Sequence, residues 1–479
     1  MSTTAADWGD GYLVDVAYIH TFLPGLAPLN LALAALLAGV RPPDVDEPFA
    51  YLDLGCGNGF TPALLAAANP HGEFWGNDFL PAHIRNAQAT AATAGLVNAT
   101  FVEASFADMV DADLPQFDFV VIHGIWSWVS QANRDRIVGL LARRVKPGGL
   151  VCISYNCHPG WDPLMGLRRL LIDAAGEQGA PVARIGRALA TARRLCDAGA
   201  DYFRNNPAAS AALDQMEQAD RVYLAHEYLN EAWTLFHPAD VAAALVPAGL
   251  TYAGQARIID NLDRYWLTEP QCALVEAEVD PAAAQAMRDL ILDRRFRRDL
   301  FVRGPAAVDD AQVAAWFADR RFALAKPRAD CSPTLTTRSG EWTLPPLCGA
   351  LLDALAQSPA SGRPLAELCG ASANDVGKAL GELAAAGAIH PALGEADEPA
   401  RRIVTDRFNE AALASARMGE PVAALASPVT GSGVSLSASE QLLLDAARFG
   451  VQFDPNEGAD PAQDFLRDRV PMLAMLGIA

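Results

Sequence analysis

An acidic residue followed by three alternating glycines is the first group in this 479-residue chain that could do chemistry. Asp53 stands in the string LDLGCGNG, and its glycines are Gly55, Gly57 and Gly59. The apolar run 49–54 predicts a short buried strand. Glycines let a backbone approach a ligand where any Cβ would collide. The pattern therefore predicts a ligand-binding turn at the end of a strand.

A helix is expected directly after the turn. Thr61 suits its N-cap and Pro62 its first position, where a missing N–H costs nothing. A strand, a glycine turn and a helix form the first unit of a nucleotide-binding α/β sheet, and the helix start offers free N–H groups. Asp78 ends the next predicted strand, at the position where such sheets place an acid that accepts both ribose hydroxyls. A carboxylate suits this task because it only accepts hydrogen bonds.

The Asp-x-Gly-x-Gly-x-Gly spacing resembles the first motif of class I S-adenosylmethionine-dependent methyltransferases. The resemblance implies that S-adenosyl-L-methionine is the cofactor, with Asp53 by its amino-acid end. Ser105 and Phe106 follow the third predicted strand, where the family binds adenine, with Asp108 as a further acceptor. Many relatives have an acid there, and this chain does not. The implied cofactor-binding residues are Tyr18, Asp53, Gly55, Cys56, Gly57, Asn58, Gly59, Asp78, Phe79, Ser105, Phe106, His123 and Gly124.

Polar and aromatic side chains follow the fourth and fifth predicted strands, in HGIWSW and YNCHPGW. Ligands bind beyond the carboxyl ends of strands in open α/β sheets. If the methyl acceptor is an amine, its burial against the tryptophans of these strings would lower its pKa. His123 or His158 could then take its proton. His123 also suits the role of a core histidine with satisfied hydrogen bonds. The candidate catalytic residues are His123, Trp126, Tyr155, Asn156 and Trp161.

The predicted fold is α/β, a Rossmann-like seven-stranded sheet with a helical insertion and a mainly helical, winged-helix-like C-terminal domain. We expect a linker at about 305–345 and loops over 391–435. The predicted divisions are a helical lid with Tyr18 as a cover over the adenosyl group (1–45), a cofactor-binding core (46–162), a helical insertion and regulatory region (163–305) and a C-terminal domain (306–479).

Four strings narrow the resemblance: HGIWSW, YNCHPGW, YLAHEYLN and RRFRRDLFVRG. Together they resemble bacterial methyltransferases that carry a methyltransferase regulatory domain, an architecture that includes rickettsial outer-membrane-protein lysine methyltransferases. This resemblance implies methylation of a protein lysine. Two alternatives stay open: a small-molecule methyltransferase, and a non-catalytic scaffold that binds the cofactor.

The net charge of −20 argues against binding of nucleic acid or of an anionic membrane surface. It is compatible with a basic partner, but it favours the interpretation of a soluble, self-repelling surface. The eight cysteines show no paired metal-ligand spacing, so we expect reduced thiols, no metal site and a cytoplasmic protein. We find no secretion signal. The C-terminal module is expected to contact protein, with a homodimer as one possibility.

Overall fold

The computed structural model describes residues 22–230, 232–449 and 461–479. Tyr18 lies outside these ranges. Seven strands form the central sheet: β1 (Ala50–Leu54), β2 (Glu73–Asp78), β3 (Ala99–Glu103), β4 (Phe117–Ile122), β5 (Val145–Asn156), β6 (Leu250–Gln255) and β7 (Phe296–Arg303). Their order is β3-β2-β1-β4-β5-β7-β6. β7 runs antiparallel to both of its neighbours, while the other pairs are parallel. The predicted seven-stranded Rossmann-like sheet is confirmed.

Helices cover both faces of this sheet. β1 is buried along its whole length. Because side chains alternate along a strand, Tyr51 packs into the core on one face and Leu52 into the core on the other. The helices of this part are Pro28–Leu37, Phe60–Ala68, Pro81–Ala94, Phe106–Asp111, Gln131–Arg144, Pro238–Leu245, Glu269–Glu276 and Pro281–Leu292.

The insertion after β5 is helical, as predicted. Its helices are Met165–Ala175, Pro181–Asp197, Asp201–Asn205, Pro207–Gln218 and Arg221–Leu229. They enclose a core of their own that includes Trp161, Leu189 and Tyr228. A backbone bond from Thr234 N to Ser127 O (2.9 Å) joins the end of this insertion to the segment after β4. The insertion therefore lies at the carboxyl ends of β4 and β5.

The C-terminal region corrects two sequence predictions. The expected linker at 305–345 holds a helix, Asp310–Asp319, and three strands: β8 (Arg321–Leu324), β9 (Thr334–Thr337) and β10 (Gly340–Thr343). The expected loops at 391–435 hold the helix Glu398–Arg417 and the hairpin of β13 (Ala424–Ser427) and β14 (Ser432–Ser435). Charged residues separate the buried residues of that helix, so no continuous apolar run marks it in the sequence.

Three helices between these segments, Pro346–Leu355, Gly362–Cys369 and Ala373–Ala385, pack with a small sheet. Its order is β11-β8-β12, with β11 at Ala360–Ser361 and β12 at Ile389–Ala392. The winged-helix assignment stays a prediction. The chain ends in helices Ala438–Arg448, Pro461–Asp464 and Val470–Met475. Among the helices of the described ranges, none has the length and apolar character that crossing a bilayer requires.

Candidate active site

A cavity of about 740 Å³ lies at the carboxyl ends of β1 to β4. Its lining includes most of the residues implied by the family resemblance: Asp53, Gly55, Cys56, Gly57, Asn58, Asp78, Phe79, Ser105, Phe106, His123 and Gly124. Gly59 does not line it. The first four strand ends thus bring together side chains that are spread over some 70 residues of sequence.

The glycine turn needs glycine for two different reasons. All three residues have positive φ: +75° at Gly55, +55° at Gly57 and +68° at Gly59. A Cβ on Gly55 would lie 2.3 Å from Ile125 Cδ1, across the cavity wall. A Cβ on Gly59 would lie 2.4 Å from Ala87 Cβ on the neighbouring helix. Gly55 therefore shapes the ligand side of the turn, and Gly59 permits helix packing.

The start of the next helix differs from the sequence prediction. The helix Phe60–Ala68 has Gly59 at its N-cap, in the left-handed conformation, and no side chain caps it. Thr61 lies inside the first turn and Pro62 occupies the third helical position, so the predicted cap was wrong by two residues.

Asn77 organises the turn and was missed by sequence reasoning. Its side chain is 1% exposed, and Nδ2 donates to Ala104 O (3.1 Å). Its Oδ1 accepts from Gly55 N (3.4 Å), and its backbone carbonyl accepts from Cys56 N (2.8 Å). Asn77 thereby ties the ends of β1, β2 and β3 together. The available signal was an amide inside an otherwise apolar strand, directly before Asp78.

Asp78 presents a fixed carboxylate to the cavity. Its Oδ2 accepts from Gly57 N (3.1 Å), and Oδ1 accepts from Leu80 N (2.9 Å). His83 Nδ1 lies 3.3 Å from Oδ1. Each carboxylate oxygen has a further lone pair beyond the bond to a backbone N–H. The two backbone bonds set the direction of those lone pairs, which suits an acceptor for a diol.

Asp53 is a buried carboxyl next to the turn, with 7% exposure. Burial, and secondly the charge of Asp78, raise its pKa to about 7. Within the described part of the chain we find no hydrogen bond to its side chain. An ionised carboxylate in this position is stabilised by a cation placed beside it. The site thus has one acid suited to an ammonium group and one suited to hydroxyls.

Ser105 and Asp108 bond to each other at the cavity edge. Ser105 Oγ donates to Asp108 Oδ2 (2.7 Å) and accepts from Asp108 N (3.2 Å), and Oδ2 also accepts from Ser105 N (3.1 Å). This capping box begins the helix Phe106–Asp111. The hydroxyl hydrogen of Ser105 is therefore engaged, while Phe106 lines the cavity with an apolar ring.

His123 and Gly124 form the wall after β4. Gly124 has φ +70°, and its N–H donates to Ser154 Oγ (2.9 Å), which links the turn to β5. Phe296 packs edge-on against the imidazole of His123, with 6.1 Å between ring centroids. Burial, and secondly the charge of Arg298, lower the pKa of His123 to about 4. Its imidazole is therefore neutral at pH 7, and Nδ1 is buried without a hydrogen-bond partner.

Four predicted catalytic residues do not line the cavity. Trp126 is 1% exposed and packs against Phe236. The hydroxyl of Tyr155 donates to the buried Asp299 on β7. Asn156 is 5% exposed, and its amide Nδ2 has no hydrogen-bond partner. Trp161 packs into the core of the helical insertion. Only His123 of the five candidates reaches the cavity, and the catalytic roles of the others stay predictions.

The segment after β4 contributes a wall that sequence reasoning missed. Ser130 caps the helix Gln131–Arg144, and Arg134 inside it donates to Val129 O (2.5 Å). These bonds fix the loop over the cavity. The missed lining residues of this segment are Ile125, Trp128, Val129, Ser130, Ala132, Asn133 and Arg136. The string HGIWSW predicted a site in this segment, but its two tryptophans differ in location: Trp128 lines the cavity and Trp126 does not.

The residues present fit S-adenosylmethionine. Gly55 and Gly57 of the turn line the cavity, Asp78 offers two oriented oxygens for a ribose diol, and Asp53 offers an uncompensated acid for the methionine ammonium group. Phe106 offers an aromatic surface for adenine. In the described ranges no three His, Cys, Asp or Glu side chains group to hold a metal ion.

Known proteins were compared with this chain by sequence and by fold. Residues 52–149 match the family described as a methyltransferase domain, and residues 220–303 match the predicted methyltransferase regulatory domain. An uncharacterised protein of Synechocystis is 34% identical over 98% of this chain and all of its own length. An uncharacterised protein of Rickettsia prowazekii is 27% identical over 57% of this chain and 49% of its own.

Among solved structures, PKMT2 from Rickettsia typhi in complex with AdoHcy covers 96% of this chain and 98% of its own, with TM-score 0.68 and 19% identity. At that identity the likeness shows the fold, and it extends over both halves of the molecule. The two family models and the fold point to the same family. The chain belongs to the class I S-adenosylmethionine-dependent methyltransferases that carry a methyltransferase regulatory domain.

Proposed function

We propose that this methyltransferase acts on the side-chain amine of a lysine in a protein. Two likenesses support the proposal. The four motifs described above resemble those of rickettsial protein lysine methyltransferases, and the fold is similar to that of PKMT2 from Rickettsia typhi over nearly the whole chain. When bound, S-adenosylmethionine supplies an activated methyl group for in-line displacement. The protein's task is to position and desolvate the two reactants.

The cofactor side of the site follows from the two carboxyls. Asp78, held by two backbone N–H groups, would accept the ribose hydroxyls. Asp53 would accept the ammonium group of the methionine part, and that contact would favour its ionised form. Ser105 and Phe106 would border the adenine. These assignments place the reactive end of the ligand between the glycine turn and the wall formed by His123 and Gly124.

The surroundings of His123 suit an amine as the methyl acceptor, and the lysine side chain is one such amine. Burial and Arg298 disfavour positive charge there, since they hold the imidazole neutral. A free lysine amine has a pKa of about 10.4, and only its neutral form is a nucleophile. The same surroundings would lower the pKa of an amine that docks beside the ring. A neutral imidazole nitrogen can then accept an amine N–H and direct the lone pair.

A labelling experiment tests the proposal. The purified protein is incubated with S-adenosylmethionine labelled in its methyl group and with a lysate separated into protein and small-molecule fractions. We expect label in the protein fraction, recovered as N-methyl-lysine after hydrolysis, and no label with the Asp78→Ala variant. Label confined to the small-molecule fraction would contradict the proposal and indicate the alternative acceptor class. Blocking lysines of the protein fraction by acetylation should abolish the signal.

A further inference from the structure

The helix that starts at the glycine turn is buried on every side. Of the nine residues of Phe60–Ala68, only Thr61 is partly exposed. A helix on the outer layer of an α/β sheet usually keeps a polar face toward water, and one that is apolar all round is enclosed. The sequence FTPALLAAA contains no charge. Its sheet-facing side packs on the core strands, so another part of the chain covers its outer side.

The C-terminal region supplies that cover through an aromatic contact. Phe408, in the helix Glu398–Arg417, packs against Phe60 with 6.1 Å between ring centroids. Phe60 is the first helical residue after the glycine turn and lines the cavity. Phe408, Ala424 and Ala426 belong to the same continuous core as the helix and the sheet. The C-terminal region thus reaches within one residue of the turn.

The loop of the C-terminal hairpin holds the other end of the helix. Asn69, at its C-cap, is 2% exposed and donates through Nδ2 to Leu65 O and to Gly431 O, both at 2.8 Å. Gly431 has φ +61°, and a Cβ there would lie 2.7 Å from Asn69 Oδ1. A Cβ on Gly433 would lie 2.9 Å from both methyl carbons of Leu64. The hairpin loop therefore rests directly on the helix.

We propose that the C-terminal region is a positioning element of the cofactor site. Phe408 at one end and the bond between Asn69 and Gly431 at the other hold the helix, and the helix holds the glycine turn. The turn donates Gly57 N to Asp78, so a displaced helix also turns the carboxylate that accepts the ribose. Phe408 and Asn69 do not line the cavity. They act through Phe60 and through the helix axis.

Calorimetric titration with S-adenosylhomocysteine tests this inference, and the readout is binding rather than activity. Phe408→Ala leaves a void beside Phe60, and we expect the Kd to rise at least tenfold. Phe408→Leu fills most of that void and should stay within about threefold of the native chain. Amide exchange of residues 60–68 in the ligand-free protein should accelerate in the alanine variant.

A matched control separates positioning from general destabilisation. Leu380 is as buried as Phe408 and also lies in the C-terminal region, but it packs into a different core with Leu351 and Leu352. Leu380→Ala should lower the unfolding midpoint and leave the Kd unchanged. Asn69→Asp retains size but removes both donated bonds, and it should weaken binding even if Phe408→Ala does not fold.

The inference is overturned if Asn69→Asp and, where it folds, Phe408→Ala bind S-adenosylhomocysteine like the native chain. It is equally overturned if Leu380→Ala weakens binding as much as they do. Neither result depends on which acceptor is methylated.

Discussion

Lowering the pH from 8 to 6 should weaken binding of S-adenosylhomocysteine about tenfold. Asp53 has a pKa of about 7 in the free protein because it is buried beside Asp78. About nine-tenths of it is ionised at pH 8 and about one-tenth at pH 6. If the ligand ammonium binds the ionised form, binding below pH 7 must first remove a proton. The Kd therefore rises as the pH falls, approaching tenfold per unit.

Isothermal titration calorimetry between pH 6 and 8, in buffers of different ionisation enthalpy, measures both the Kd and the protons released. We expect release close to one proton per ligand at pH 6 and close to none at pH 8. Asp53→Asn should bind weakly with a Kd that does not vary over this range. His83→Gln is the control, because His83 is another ionisable side chain beside Asp78, at 3.3 Å.

Two results would refute the reasoning. A native chain whose Kd is constant from pH 6 to 8 would show that Asp53 is already ionised before binding or is not needed. A pH dependence retained in Asp53→Asn and lost in His83→Gln would assign the proton to the histidine.

Three further predictions follow from packing and polar contacts. Gly55→Ala should weaken binding of S-adenosylhomocysteine strongly in calorimetry while the far-ultraviolet spectrum stays native, since φ is +75° and its Cβ would displace Ile125 in the cavity wall; unaltered binding would show that the cofactor does not bind at the turn. Ser154→Ala leaves the N–H of Gly124 unpaired and should reduce single-turnover methylation about tenfold at saturating cofactor, with recovery in Ser154→Thr; an unchanged rate would remove this contact from the mechanism. Arg297→Met removes the cation that the buried carboxylates of Asp289 and Asp299 share, and should cost about 3–5 kcal/mol in denaturant unfolding, whereas Arg363→Met on the surface should leave the midpoint unchanged; equal effects would contradict the argument.

The sheet and the cofactor end of the site were predictable because their signals are local. A glycine turn, an acid at a strand end and a short apolar run each depend on neighbours in sequence. A fourth strand was predicted directly before HGIWSW, where β4 (Phe117–Ile122) lies, and Asp78 was placed correctly at the end of β2. In a parallel sheet the carboxyl ends of the strands share one edge. The residues that directly follow successive strands are therefore predicted to lie close together.

The acceptor side depends on contacts that sequence does not display. Tyr155 is a candidate catalytic residue, yet in the antiparallel register of β5 with β7 it lies opposite Arg297, and its hydroxyl bonds to Asp299. Nothing in YNCHPGW reveals that partner, 144 residues away. The two tryptophans of HGIWSW also point in different directions, because the 3-10 turn Trp126–Trp128 directs Trp126 into the core and Trp128 to the cavity.

The helix in the segment 391–435 could not be predicted from the sequence for a related reason. The helix Glu398–Arg417 carries many charged residues, and its buried stripe includes Phe408, Asn409 and Leu413. The stripe can be recognised as a buried surface only together with the helix that it covers, which lies more than 300 residues earlier in the sequence. The covered helix does carry a sequence signal of this packing, because Phe60–Ala68 has no polar face.

A crystal structure of the chain with S-adenosylhomocysteine tests the central claim most directly. We predict that the adenosyl moiety lies against the glycine turn, with both ribose hydroxyls about 2.5–3.2 Å from the carboxylate of Asp78 and the ammonium group beside Asp53. A ligand bound elsewhere, or a ribose that does not contact Asp78, would contradict it.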